Sequence, residues 1–343
     1  MSSVPAILLA ASDTDLPPLT PGRIISAWTI DPWLAAIVVA VGGLYLYGVS
    51  SLKRRGDAWP VGRTVAFLAG GLGTMCVATM SSLGTYDDEL LSVHMIQHMV
   101  LGMIAPIFLA LGAPVTLALR TLPVGGRKRL VAVLHSRPAK VLSFPLVSYA
   151  IFVANPFALY FTGLYRQTLE HPLFHEFVHL HFLVTGCLFF WPLLGLDPLP
   201  GRWPYPGRAL LMLLSTPFHA VLGLTIMQSA TLIAGDWYPN LHLTWANPKD
   251  DQVLAGGILW AGGEVVSVTM LAVLVVQWMR DADKEARRVD RKLDRERHER
   301  ALTPGAGAAA TAVSTTTAAV ESPATDAADD LWETPWWERS SPS

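Results

Sequence analysis

The chain reads as an all-α membrane protein of seven transmembrane helices, with the N-terminus outside and the C-terminus in the cytoplasm. Three observations carry that reading. Hydrophobic residues make up 52% of the 343 and charged residues 15%, for a mean hydropathy of +0.39. The charges are segregated, with 23 of the 52 Asp, Glu, Lys and Arg residues lying after Met279. Seven windows, near 33–51, 62–83, 90–119, 141–163, 172–196, 208–234 and 252–279, are apolar enough to cross a hydrocarbon core of about 30 Å, which takes about 20 helical residues. This composition excludes a soluble nucleic-acid binder and a disordered activator. The net charge of −2 says nothing of partners, because a bilayer separates the charges that it sums.

Residues 1–32 form an outer segment ahead of the first window, which has no ionisable residue from Trp33 to Ser51 and ends at Lys53, Arg54 and Arg55. The third window is long and carries Pro106 and Pro114. Proline lacks an N–H and clashes one turn back, so a kink or a broken end is expected there. Between the third and fourth windows, Gly125 to Ser136 combines basic residues with Leu130, Val131, Val133 and Leu134, the pattern of a helix lying on an anionic inner surface. Residues 33–279 make the seven-helix membrane domain. Residues 280–300 are almost entirely charged and predict a solvated cytoplasmic helix with i,i+4 pairs such as Asp283 with Arg287. Residues 301–343 turn to Ala, Thr, Ser, Pro and Gly, a composition that buries too little to offset ordering entropy, and are expected to be disordered. Cys76 and Cys187 both lie in apolar runs and make no disulfide framework.

Orientation follows from Lys and Arg in alternate loops. The inner loops hold twelve, from Lys53 to Arg208, against Arg23, Arg166 and Lys249 outside. Asp87, Asp88, Glu89, Glu170, Asp236, Asp250 and Asp251 mirror the bias on the outer side. Trp28, Trp33, Trp237 and Trp245 then fall at the outer boundary and Trp59, Trp203 and Trp278 at the inner one, as aromatic belts require.

Ionisable groups inside the windows are few and patterned. The third window carries His94 and His98, the fifth His175, Glu176, His179 and His181, the sixth His219 and the seventh Glu264, with His171 at the mouth of the fifth. His94 and His98 are one turn apart on one helix face, as are His171, His175 and His179, whereas His181 is rotated away. At 1.5 Å per residue, His94 and His98 lie roughly 6 and 12 Å below the outer surface, and His175 and His179 roughly 5 and 10 Å below it. Polar groups in hydrocarbon are costly and usually functional, and neutral imidazole is the commonest metal ligand. Four imidazoles at one depth therefore point to a metal or proton site, with His219 and Glu264 near the midplane beneath it. Met95, Met99 and Met103 follow on the third window; a thioether facing the histidines would suit Cu(I) better than Ca or Mg.

Two other chemistries stay open on these residues. His175-Glu176-Phe177-Val178-His179 is a literal H-E-x-x-H, which in zinc metallopeptidases supplies two ligands and a general base. The same Glu176 could instead orient a histidine. Histidines on facing helices are also the axial ligands of haem electron carriers.

The chain resembles the CtaG-like cytochrome c oxidase assembly factors, polytopic proteins of bacterial membranes linked to copper-dependent oxidase assembly. The resemblance runs over most of residues 30–280. It rests on HMIQHMVLGMIAPIFLALGAP (His94 to Pro114), HEFVHLHFLVTGCLFFWPLLGLDP (His175 to Pro198), TPFHAVLG (Thr216 to Gly223) and DQVLAGGILW (Asp251 to Trp260). It implies a non-enzymatic helper of oxidase maturation in the bacterial cytoplasmic membrane, with oxidase subunits and the lipid bilayer as partners and no nucleic acid. Carried over by position, the implied site residues are His94, His98, His175, His179 and His219 with the outer-edge pair Asp251 and Gln252. On this reading the histidines hold Cu(I), zinc being the alternative ion, and Glu176, Glu264, Asp251 and Gln252 tune or relay. The charged segment and the tail lie outside the resemblance.

Overall fold

Hydrocarbon offers the backbone no hydrogen-bond partners, so a chain this apolar must close its bonds within helices. The computed structural model describes residues 16–200 and 203–302, and every regular element among them is helical. The principal helices are α1 (Pro32–Arg54), α2 (Val61–Thr85), α3 (Leu91–Thr121), α4 (Pro145–Phe161), α5 (Leu164–Glu170), α6 (Pro172–Leu194), α7 (Tyr205–Gln228) and α8 (Pro248–Leu302). Six of them, α1, α2, α3, α6, α7 and α8, are long and apolar enough to cross a membrane. The fourth window, 141–163, holds α4, and α5 follows it at a 69° bend around Thr162 and Gly163, where the Thr162 hydroxyl takes the Leu164 N–H at 3.3 Å.

Proline shapes α3 as expected, but in two different ways. Near Pro106 the helix stays continuous and widens into π-type turns over Val100–Ile104, which make room for the ring that would clash one turn back. At Pro114 it breaks. Ala113 adopts φ 47°, because a following proline bars it from the right-handed helix region. The segment that resumes at Pro114 is capped from another helix: Asp197, beyond the end of α6, accepts from Thr116 N at 2.7 Å, Val115 N at 3.3 Å and Trp191 Nε1 at 2.8 Å.

Close helix approach depends on glycine. Gly186 of α6 lies against the Gly102 backbone of α3, and a Cβ on Gly223 of α7 would sit 2.6 Å from the carbonyl oxygen of Gly256 on α8. The main core joins side chains of α3, α4, α6, α7 and α8, and a smaller one joins α1 and α2 to the inner half of α3.

Several expected boundaries shift. The sixth window was read to 234, but α7 ends at Gln228. The Gln252 amide takes over the backbone beyond that point, accepting from Ile233 N at 2.8 Å and donating to Ile226 O at 3.2 Å and Thr231 O at 3.1 Å. The amphipathic segment expected over Gly125–Ser136 is the helix Val124–Leu134, none of whose residues is buried. The described chain divides into two units at Met279 and Arg280. In the second, ion pairs are mostly one turn of three apart, Lys284 with Asp281 at 2.8 Å and Arg288 with Glu285 at 3.3 Å, and the pair expected between Asp283 and Arg287 is not among them. The tail expected to be disordered lies, from residue 303 on, outside the described residues.

Candidate metal centre

Helical spacing of four brings His94 over His98 on α3 and His175 over His179 on α6, and packing of α3 against α6 faces the two pairs together. Ring centroids are 4.0 Å apart for His94 and His98, 4.3 Å for His175 and His179, 5.2 Å for His94 and His175, and 5.5 Å for His98 and His179. His94 is fully buried, His98 is 2% exposed, and His175 and His179 are each 6% exposed. Tyr165 packs edge-on against His94 at 4.8 Å, and Phe182 lies 4.4 Å from His98.

The hydrogen bonds around the cluster define which nitrogens are free. Gln97 donates Nε2 to Asp87 Oδ2 at 2.8 Å and to Ala78 O at 3.1 Å. Both are acceptors, so the amide oxygen must face His179, whose Nε2 lies 2.9 Å away and therefore carries the proton. That leaves His179 Nδ1 as the lone-pair nitrogen. His175 Nδ1 lies 3.2 Å from Asp88 Oδ1 in an ion-pair contact, and the unpartnered nitrogen of this ring is Nε2, 3.9 Å from Asp87 Oδ2. Both of these nitrogens, and both ring nitrogens of His94 and of His98, are buried without a hydrogen-bond partner. A buried polar group left unsatisfied costs about 1–3 kcal/mol. Six at one place are a large fraction of the roughly 5–15 kcal/mol that stabilises a whole domain.

Two overlapping sets could hold an ion, His94 with His98 and His175, and Asp87 with His175 and His179; in each, the ligand atoms lie within 4.8 Å of one another. The donor chemistry fits a metal: neutral imidazoles whose second nitrogen is pinned by a carboxylate or an amide are the usual arrangement at metal-binding histidines. Asp87 lies in the turn between α2 and α3, where burial and repulsion from Asp88 push its carboxyl up to about 7. Glu89 in the same turn is pushed up to about 8 by burial and by both neighbours. The loop after α7 closes over this turn, with Trp237 Nε1 donating to Asp88 O at 3.0 Å and Arg166 paired to Asp236 and, at 2.7 Å, to Glu170.

The other expected residues stand apart. His219 lines a small cavity with His98, and its Nδ1 lies 3.0 Å from Ser215 O. Glu264 is half-buried beside Gly263, which abuts His219, but no hydrogen bond joins it to the described residues. Asp251 accepts from Ser92 N at 3.2 Å and from the Ser92 hydroxyl, fastening α8 to the start of α3, and Gln252 binds only backbone. Neither touches a histidine. Glu176 does, with Oε2 3.6 Å from His179 Nδ1. His181 is exposed and stacks on Phe177, away from the cluster as its rotation predicts. Gln97 completes the site and was missed, although it lies between His94 and His98; Asp87 and Asp88, expected as acidic groups at the mouth of the site, reach the histidines themselves.

The fold and this site define a multi-pass helical membrane protein with a buried histidine cluster at the packed faces of two helices. Residues 43–281 match the family described as cytochrome c oxidase caa3 assembly factor, and the chain belongs to that family. It is 40% identical over 287 residues to uncharacterized proteins of Mycobacterium bovis and Mycobacterium tuberculosis, covering 81% of this chain and 43% of each relative. An uncharacterized protein of Mycobacterium leprae is 36% identical over 280 residues, covering 79% and 42%. The chain thus spans less than half the length of these relatives. No solved structure matches it.

Proposed function

We propose that the protein is an assembly factor of the bacterial cytoplasmic membrane that holds Cu(I) in an outward-facing cluster of His94, His98, His175 and His179 and hands it to a cytochrome c oxidase subunit. The bent pair α4 and α5 counts as one crossing, which makes seven, with residues 1–32 outside and the segment after Met279 in the cytoplasm. The observation that carries the reading is the set of six buried imidazole nitrogens without partners. Each neutral ring carries one lone pair, so an ion held by the four rings engages four of these nitrogens and offsets that part of the cost the apoprotein bears. Asp88 at the outer rim attracts cations, while Gln97 holds the ring of His179 in the tautomer that exposes a lone pair. Copper is cargo here, and the overlap of two ligand sets at His175 gives it more than one resting geometry, which favours release over permanent capture.

A zinc peptidase is the second reading, favoured by the set Asp87, His175 and His179 within the H-E-x-x-H segment. One experiment separates the two. Protein purified without a histidine tag is analysed for metal as wild type, as His94→Ala/His98→Ala, as Glu176→Gln, and as His298→Ala in the charged segment. On the copper reading the double histidine variant loses its copper and His298→Ala keeps it. Glu176→Gln loses only the carboxylate beside His179, a change that typically costs 10- to 100-fold in affinity, and added copper restores oxidase activity. Glutamine cannot act as a general base. Full metal retention by Glu176→Gln with activity lost and unrepaired by copper would establish the peptidase and defeat the copper reading.

A further inference from the structure

A cavity of about 40 Å³ lies on the membrane-interior side of the histidine cluster, bounded by α3, α4, α6, α7 and α8. Three thioethers line it. Met95, Met99 and Met103 recur every fourth residue, which stacks them along one face of α3. The Met95 sulfur accepts from the Tyr160 hydroxyl at 3.6 Å inside the same cavity. Two imidazoles line it as well. His98 brings a ring with both nitrogens unpartnered and 2% exposed. His219 turns Nδ1 to a backbone carbonyl at 3.0 Å, so that Nδ1 carries the proton and Nε2 the lone pair.

Among the described residues the lining contains no carboxylate, and its oxygen-bearing side chains are neutral and hydrogen-bonded within the protein: Asn155 donates to the Thr185 hydroxyl at 3.2 Å, Thr185 to Phe182 O at 3.1 Å and Tyr160 to the Met95 sulfur. Hard divalent cations need charged oxygen donors and retain water, and the space holds about one water-sized body. Neutral thioether and imidazole donors suit a bare, soft, monovalent cation. His98 belongs to both places: its ring stands 4.0 Å from that of His94 in the cluster, and it lines the cavity together with the three methionines.

We propose that this cavity is a second Cu(I) site, held by the thioethers of Met95, Met99 and Met103 with His98 and His219, and reached from the histidine cluster through the ring of His98. The inference rests on the copper reading and deepens it: nitrogen ligands receive the ion near the outer surface, and sulfur ligands select for its monovalent form farther in.

Ag(I), a redox-inert stand-in for Cu(I), is titrated into the purified full-length protein without a tag, with Cys76→Ala/Cys187→Ala as the wild-type background because both native thiols are free and would bind the ion, and bound metal is counted. Wild type binds two ions per chain. The variant Met95→Leu/Met99→Leu/Met103→Leu, which conserves side-chain volume, binds one. His94→Ala/His175→Ala also binds one, and copper K-edge absorption of that variant loaded with Cu(I) shows sulfur neighbours. Should the triple variant fail to fold, Met99→Leu alone lowers the sulfur contribution to the wild-type absorption spectrum. Two ions in the triple variant, or a sulfur contribution unchanged by Met99→Leu, would overturn the second site and leave the histidine cluster standing. A wild type that binds no Ag(I) would defeat both.

Discussion

At the scale of single residues, the cluster is held by groups of unequal visibility. The histidines were legible because a four-residue spacing on two separate apolar windows has one physical consequence, a shared face at a shared depth. Gln97 was not, since a glutamine inside an apolar helix acquires its role only when α6 supplies His179 and the turn before α3 supplies Asp87. Asp251 and Gln252 misled in the opposite direction, as polar groups near the outer edge whose partners turned out to be a serine and the backbone. The turn also carries a pH dependence. Glu89 is held near 8 instead of 4.5 by burial and by Asp88 and Asp87, so its protonated form favours the fold. That contribution is complete below about 4.5 and is lost as pH rises through about 8. Metal-free wild type in detergent therefore loses thermal stability between pH 5 and pH 9, and Glu89→Gln, neutral throughout, loses less, with a higher melting temperature at pH 9 and a similar one at pH 5. Equal slopes for the two proteins would show that the Glu89 carboxylate is solvated.

At the scale of elements, six crossings follow from hydropathy alone, whereas breaks and ends depend on contacts that hydropathy does not contain. The 69° bend between α4 and α5 falls at the end of the fourth window, where the apolar run gives way to Arg166, Gln167 and Glu170, and α7 stops short because Gln252, 24 residues later, occupies the backbone that would continue it. Pro106 and Pro114 looked equivalent in sequence. One is absorbed by π-type turns and the other breaks the helix, because Ala113 beside it takes a left-handed conformation. The broken end is stabilised by Asp197, which gathers Thr116, Val115 and the Trp191 indole into one junction between α3 and α6. Asp197→Ala removes that cap, for an expected loss of about 1–2 kcal/mol, and leaves the half-buried Trp191 indole N–H without its acceptor. Thermal unfolding in detergent should show a clear fall in melting temperature with metal content per folded chain preserved, since the junction lies at the opposite end of the helices from the histidines. An unchanged melting temperature would mean that water replaces the cap.

At the scale of the whole molecule, orientation decides which compartment the cluster serves, and it rests on the twelve-to-three bias of Lys and Arg between alternate loops. Single cysteines at Thr85 and Asn240 should react with a membrane-impermeant thiol reagent in intact cells, and one at Gly125 should not. Both native cysteines are free, so the background is set with Cys76→Ala/Cys187→Ala. Labelling at Gly125 would invert the topology and turn the site toward the cytoplasm. The placement of the two histidine pairs on α3 and α6 has a further consequence, in time. About 80 residues of chain separate them, and a ribosome adding roughly 5–20 residues per second needs roughly 4–16 s to cover that interval. Throughout it, His94 and His98 are already in the membrane with nothing facing them. On the copper reading, a nascent chain is therefore blind to the ion until its sixth helix arrives, and an interrupted one never becomes a trap for it.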